Sequence, residues 1–139
     1  MVSVVAQRIL VVEGDEALGE VVTELLGRNG YTILSARTVH EATECAQRGP
    51  VEAVILDVDT VSPQRAARWF GVWQEEPVVP PVILLGVHAE DLARADVLRH
   101  SETRAVRHLQ WIRKPFRKEE LLSAVRVAVR PQPSTSNLS

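Results

Sequence analysis

A chain of 139 residues, 45% hydrophobic and 24% charged, is long enough to bury one independent core and too apolar for disorder to dominate it. Its longest apolar run, Val78 to Val87, is interrupted by Pro80 and Pro81 and is too short to cross a bilayer; Met1 to Arg8 lacks the pattern of an export signal, and the lone Cys45 can form no internal disulfide, so the cytoplasm is the expected compartment. The formal charge of −2 hides an asymmetry: residues 1–93 carry 6 Lys/Arg against 14 Asp/Glu, whereas residues 94–139 carry 10 against 4.

Short β-branched runs alternate with amphipathic stretches five times. Arg8 to Val12 reads as a strand buried on both faces. Asp15 then suits an N-cap, with Leu18, Val21, Val22, Leu25 and Leu26 at helical spacing and Asn29-Gly30 as the left-handed stop. Tyr31 to Ser35 is the second strand, and Thr38 with Glu41 forms a capping box for a helix to about Arg48, ended by Gly49-Pro50. Val51 to Asp57 is a third strand that finishes on a carboxylate. Ser62-Pro63 opens a helix through Trp73. Val82 to Leu85 is the fourth strand, and a helix follows from about Ala89 to Arg99. Leu109 to Arg113 is a short fifth strand, and Lys118 to Val129 is the last helix, with Leu121, Leu122, Val125 and Val129 on one face. Residues 1–130 are expected to form the domain, and the Pro/Ser-rich residues 131–139 a disordered tail or linker.

Five strands each followed by a helix predict an α/β fold, a parallel sheet covered on both faces. Such sheets bind ligands outside the carboxyl ends of their strands. That edge collects Glu13-Gly14-Asp15, Asp57 with Asp59, Gly86-Val87-His88 and Lys114-Pro115-Phe116. Clustered carboxylates suit a hard cation such as Mg²⁺, and the lysine across from them suits added negative charge.

At these residues the chain resembles the receiver domain of two-component response regulators, over residues 8 to 130. The matching text is Ile9 to Leu18, Val54-Ile-Leu-Asp-Val58, Pro81-Val-Ile-Leu-Leu85 and Lys114-Pro115-Phe116. The resemblance implies a flavodoxin-like (βα)5 fold with strand order 2-1-3-4-5. It implies that Asp57 accepts a phosphoryl group from a histidine kinase, that Lys114 pairs with that group, and that Lys114-Pro115 is cis. Glu13, Asp57 and Asp59 are the expected metal set, with Asp59 contributing its carbonyl and adding a carboxylate. Trp111 falls at the rotating aromatic switch; it reads either as that switch, with Gly86 leaving room for an inward rotamer, or as an edge aromatic.

The pattern breaks around the chemistry. Two adjacent acids usually follow the first strand, but here Gly14 takes the second place. Gly86 stands where a Thr or Ser would meet a phosphoryl oxygen, and Val61-Ser-Pro-Gln-Arg65 replaces the usual turn after the acceptor. Two unit charges about 4 Å apart interact by roughly 4 kcal/mol at an effective dielectric of about 20, so one missing carboxylate weakens Mg²⁺ binding considerably. A lost hydrogen bond to a charged group removes about 1.5–3 kcal/mol more. Transfer is then roughly ten- to several-hundredfold slower.

The expected role is therefore signal transduction through protein contacts rather than enzymatic turnover, with Asp57 an impaired phosphoacceptor and Mg²⁺ bound weakly or not at all. The alternative is a phosphorylation-independent pseudo-receiver. A nucleotide-binding enzyme is disfavoured because no Gly-rich phosphate loop follows the first strand and Glu13-Gly14-Asp15 would repel phosphate. Arg94 to Lys118 holds 8 Lys/Arg, among them Arg104, Arg107 and Arg117, against Asp96 and Glu102. This stretch reads either as a solvated face or as a partner surface for a histidine kinase, another signalling protein or a second copy of the chain. Nucleic acid is expected only through a separate effector domain, and no membrane partner is expected. His88, His100 and His108 read as surface residues, and Cys45 as packing.

Overall fold

The computed structural model describes residues 6–62, 65, 69, 80–89 and 108–130. In chain order these form β1 (Arg8–Val12), α1 (Glu16–Arg28), β2 (Thr32–Ala36), α2 (Val39–Gln47), β3 (Ala53–Asp57), β4 (Val82–Gly86), β5 (Leu109–Arg113) and α3 (Lys118–Val129). The strands pair in parallel in the order β2-β1-β3-β4-β5, the flavodoxin-like arrangement expected from the sequence.

Local chemistry sets the helix ends where the sequence placed them. Asp15 Oδ1 accepts the Ala17 and Leu18 N–H groups at 3.0 and 3.2 Å, which caps α1. Gly30, at φ +92, lets the chain turn back after Asn29 at little steric cost. Thr38 Oγ1 accepts the Glu41 N–H at 3.1 Å, but Glu41 Oε2 reaches one residue past the cap to the Arg37 N–H at 2.7 Å. β3 begins at Ala53 rather than at the expected Val51. Before that point Arg8 and Glu52 bond across the end of the sheet, Arg8 N–H to Glu52 Oε2 at 2.6 Å and Glu52 N–H to the Arg8 carbonyl at 2.8 Å.

Strand alternation divides the core in two. Ile9, Val11, Ala53, Ile55, Ile83, Leu85 and Ile112 face α1 and α3, meeting Val22 and Leu26 from one and Leu121, Ala124, Val125 and Ala128 from the other. Leu10, Val12, Val54, Leu56, Val82 and Leu84 face the opposite side, where they pack with Ala42 of α2, Val61, Trp69 and Ala89. Burial on both faces accounts for the unbroken apolar runs in β3 and β4. Cys45 packs against the second cluster, as expected.

The expected helices over 62–73 and 89–99 fall mostly outside the described residues, as do His100, Arg104, Arg107 and the tail at 131–139. Arg65, Trp69 and Ala89 are helical. Among the described residues no helix is long and apolar enough to cross a membrane.

Leu26 is fully buried between α1 and the sheet. Leu26→Ala is expected to lower unfolding free energy by about 2–5 kcal/mol, measured by urea denaturation.

Candidate functional site

The sheet order brings the ends of β1, β3, β4 and β5 to one edge. The Glu13 N–H extends the β1 ladder by donating to the Ala36 carbonyl at 2.9 Å, which holds Glu13 at the rim with 4% of its surface exposed. Asp57, the last residue of β3, is fully buried. Lys114 follows β5, its N–H donating to the Gly86 carbonyl at 3.1 Å, and the Lys114-Pro115 bond is cis as the resemblance implied.

These side chains form one network. Lys114 Nζ donates to Asp57 Oδ2 at 2.7 Å and lies 3.2 Å from Asp59 Oδ2. The Asp59 N–H donates to Asp57 Oδ1 at 2.8 Å, so both oxygens of Asp57 are engaged. The Asp59 carboxylate also accepts the Val87 N–H, at 3.3 Å to Oδ1 and 3.1 Å to Oδ2. Thr60 completes the rim: its Oγ1 accepts the Gly14 N–H at 3.0 Å and lies 3.4 Å from the Asp57 carbonyl.

Burial pushes the Glu13 carboxyl up to about 8, helped by a hydrogen bond to Asp57 and by that residue's charge. Burial alone would raise Asp57 too, but hydrogen bonds from Glu13, Lys114 and the Asp59 N–H outweigh it and hold Asp57 below the usual carboxylate range. For Lys114, burial works against the charged form, and the hydrogen bonds to Asp57 and Asp59, with the charges of Asp57 and Glu13, overcome it, raising its pKa. The arrangement is a buried Asp57 carboxylate held in its charged form beside the Lys114 ammonium, with the raised Glu13 carboxyl next to it.

Among the described residues no three His, Cys, Asp or Glu side chains converge to hold a metal ion. The Asp59 carboxylate turns toward Lys114 and the Val87 N–H, so it does not join Glu13 and Asp57 in a three-carboxylate site for a hydrated Mg²⁺.

The two glycines leave no empty space. A Cβ on Gly14 would lie 2.8 Å from Thr60 Cβ, and one on Gly86 would lie 2.5 Å from Val58 Cγ2 and 3.1 Å from Asp59 Oδ1. The room expected beside Gly86 is thus filled by Val58 and Asp59, and Trp111 is 41% exposed rather than inward. Arg117 is exposed at the start of α3, where its N–H donates to Glu120 Oε1 at 3.1 Å. His88 and His108 are exposed.

Three parts of the site were not read from the sequence: Thr60, the Val87 N–H and the pairing of Asp59 with Lys114. A spare acid two residues past Asp57, opposite a position with no side chain, was the available signal for the last. Beside the network, α1, β2 and α2 line an open cleft of about 720 Å³ that includes Glu13, Glu16, Glu20, Glu24, Glu41 and Arg37. Arg37 pairs across it with Glu16 at 2.9 Å.

Neither a protein-family model nor a curated protein matches the chain. Solved structures match it closely in fold. The HemR receiver domain of Leptospira biflexa is 26% identical with a TM-score of 0.71, over 92% of this chain and 98% of that one. A receiver-domain protein of Clostridium thermocellum is 21% identical with a TM-score of 0.69, over 88% and 94%. The receiver domain of a sensor histidine kinase from Pseudomonas aeruginosa, solved with magnesium coordinated in its active-site cleft, is 22% identical with a TM-score of 0.69, over 91% and 100%. The chain therefore has the fold of response-regulator receiver domains, and the resemblance read from its motifs is borne out.

Two outcomes follow from this geometry. Gly14→Asp with Gly86→Thr, which sequence comparison alone would offer as a repair, should overpack the rim and cost about 1–3 kcal/mol in urea denaturation without restoring an acceptor. Glu13 keeps a proton in the folded state that it loses in the unfolded state between its ordinary value of 4.5 and about 8. Without metal, this group's contribution to stability therefore falls as pH rises through that window, and Glu13→Gln should flatten the decline in Tm across it.

Proposed function

We propose that the chain is a cytoplasmic receiver module of two-component signalling that works through protein contacts and whose Asp57 is a poor phosphoryl acceptor. The observation that carries this reading is the closed network on Asp57, in which Asp59 N–H takes Oδ1, Lys114 takes Oδ2 and the Asp59 carboxylate stands beside the same ammonium. In the transfer reaction an Asp57 oxygen attacks the phosphorus of a phosphohistidine, the P–N bond breaks, and the imidazole leaves while the O–P bond forms. That reaction is mostly positioning and charge neutralisation. Here the incoming phosphoryl meets a second anion in place of a cation site; a like charge about 4 Å away costs roughly 4 kcal/mol at an effective dielectric of about 20.

A phosphorylation-independent role has a specific observation in its favour: Lys114 is ion-paired with Asp57 at 2.7 Å and with Asp59 at 3.2 Å, a cluster built wholly from the chain's own side chains. The scaffold then holds one arrangement and presents a fixed surface. The partner in either case is a histidine kinase or another signalling protein, for which the basic stretch ending in Arg117 and Lys118 suits an acidic face. Residues 1–130 act as the module, and residues 131–139 as a tail or linker.

The test is intact mass after incubation with Mg²⁺ and a small-molecule phosphodonor, beside Asp57→Asn and a normal receiver. The expected result is an adduct forming roughly tenfold or more slowly than in the normal receiver, or none. A stoichiometric adduct at the control's rate, absent from Asp57→Asn, would overturn the poor-acceptor reading.

A further inference from the structure

The donors at this edge do not lack an anion. Lys114 Nζ lies 3.2 Å from Asp59 Oδ2, and the Val87 N–H is shared by both Asp59 oxygens at 3.3 and 3.1 Å. An oxyanion brought against Asp57 Oδ2 from outside would need that ammonium and the backbone N–H just beyond β4. One side chain of the chain itself already holds both.

Gly86 makes the arrangement sterically possible. A Cβ there would meet Val58 Cγ2 at 2.5 Å and Asp59 Oδ1 at 3.1 Å, so any larger residue would displace the carboxylate or the valine beside it. The turn also aims Asp59: its own N–H is fixed on Asp57 Oδ1 at 2.8 Å, and the Val61 N–H is fixed on the Asp57 carbonyl at 3.1 Å. An ordinary surface ion pair would reach the lysine alone; here a side chain one-third exposed is held by a buried pair on one side and a backbone donor on the other.

We infer that Asp59 is a built-in substitute for an external oxyanion, occupying the donors beside Asp57 and excluding phosphate-like ligands from the edge of the sheet. This rests on the reading of Asp57 and Lys114 as a receiver-type site. Asp59 and Gly86 form a matched pair: the missing side chain after β4 is answered by an extra carboxylate after β3, and the site is kept neutralised from within. The ligand class it excludes is the tetrahedral oxyanion, with inorganic phosphate as the simplest member.

The full chain can be tested by following the Val87 amide signal in ¹H–¹⁵N spectra during titration with inorganic phosphate. In the wild type the signal should stay in place. In Asp59→Ala it should move saturably, with an affinity gain of roughly tenfold or more, and Lys114→Gln added to Asp59→Ala should abolish the response. Asp59→Asn, which keeps the shape and removes the charge, should respond in the same direction and serves if the alanine variant does not fold. An equal response in wild type and both folded variants, or silence in all of them, would overturn the inference. Rapid phosphorylation of wild-type Asp57 would instead overturn the poor-acceptor reading, so the two failures are told apart.

Discussion

An ionised carboxylate with no exposed surface is the constraint to which this edge of the molecule answers. Removing a charge of that size from water costs several kcal/mol even after relaxation. Asp57 meets that cost with the Lys114 ammonium at 2.7 Å and the Asp59 N–H at 2.8 Å, with the Glu13 carboxyl beside them. Each group arrives from a different part of the sheet, from the end of β5, the turn after β3 and the end of β1. The network therefore ties three strand ends together, and its integrity depends on their register.

That closure explains why the departures from the receiver pattern belong together. Losing the acid at Gly14 leaves a backbone N–H that Thr60 takes up, while Thr60 occupies the volume a side chain at position 14 would need. Losing the hydroxyl at Gly86 opens a place that Val58 and the Asp59 carboxylate fill. With no side chain at positions 14 and 86 and a carboxylate at position 59, two acids, Asp57 and Asp59, stand within 3.2 Å of Lys114.

The scaffold was legible because its signals are local and repeated. Asp15 and Thr38 cap helices by bonding groups two or three residues away, and the runs ending at Val12, Asp57 and Leu85 need only burial on two faces to be strands. Asp57 and Lys114 could be named because strand ends of a parallel sheet share one edge. The surroundings of Asp59, Gly86 and Trp111 could not be read in the same way because each depends on neighbours from other strands. A glycine marks missing atoms, and its sequence position does not say whether a cavity or a neighbour's side chain replaces them.

By itself, then, the sequence determined the order of elements, the two-sided core and the pairing of an acid on the third strand with a lysine after the fifth. Periodicity and capping are properties of short segments and survive without knowledge of the rest. Only the tertiary structure decided that burial beside Asp57 raises the Glu13 carboxyl, that Asp59 pairs with Lys114 and the Val87 N–H, and that the spaces beside Gly14 and Gly86 are full. Those outcomes turn on desolvation and on contacts of a few tenths of an ångström between loops far apart in the chain, and neither quantity exists until the sheet has brought the loops together.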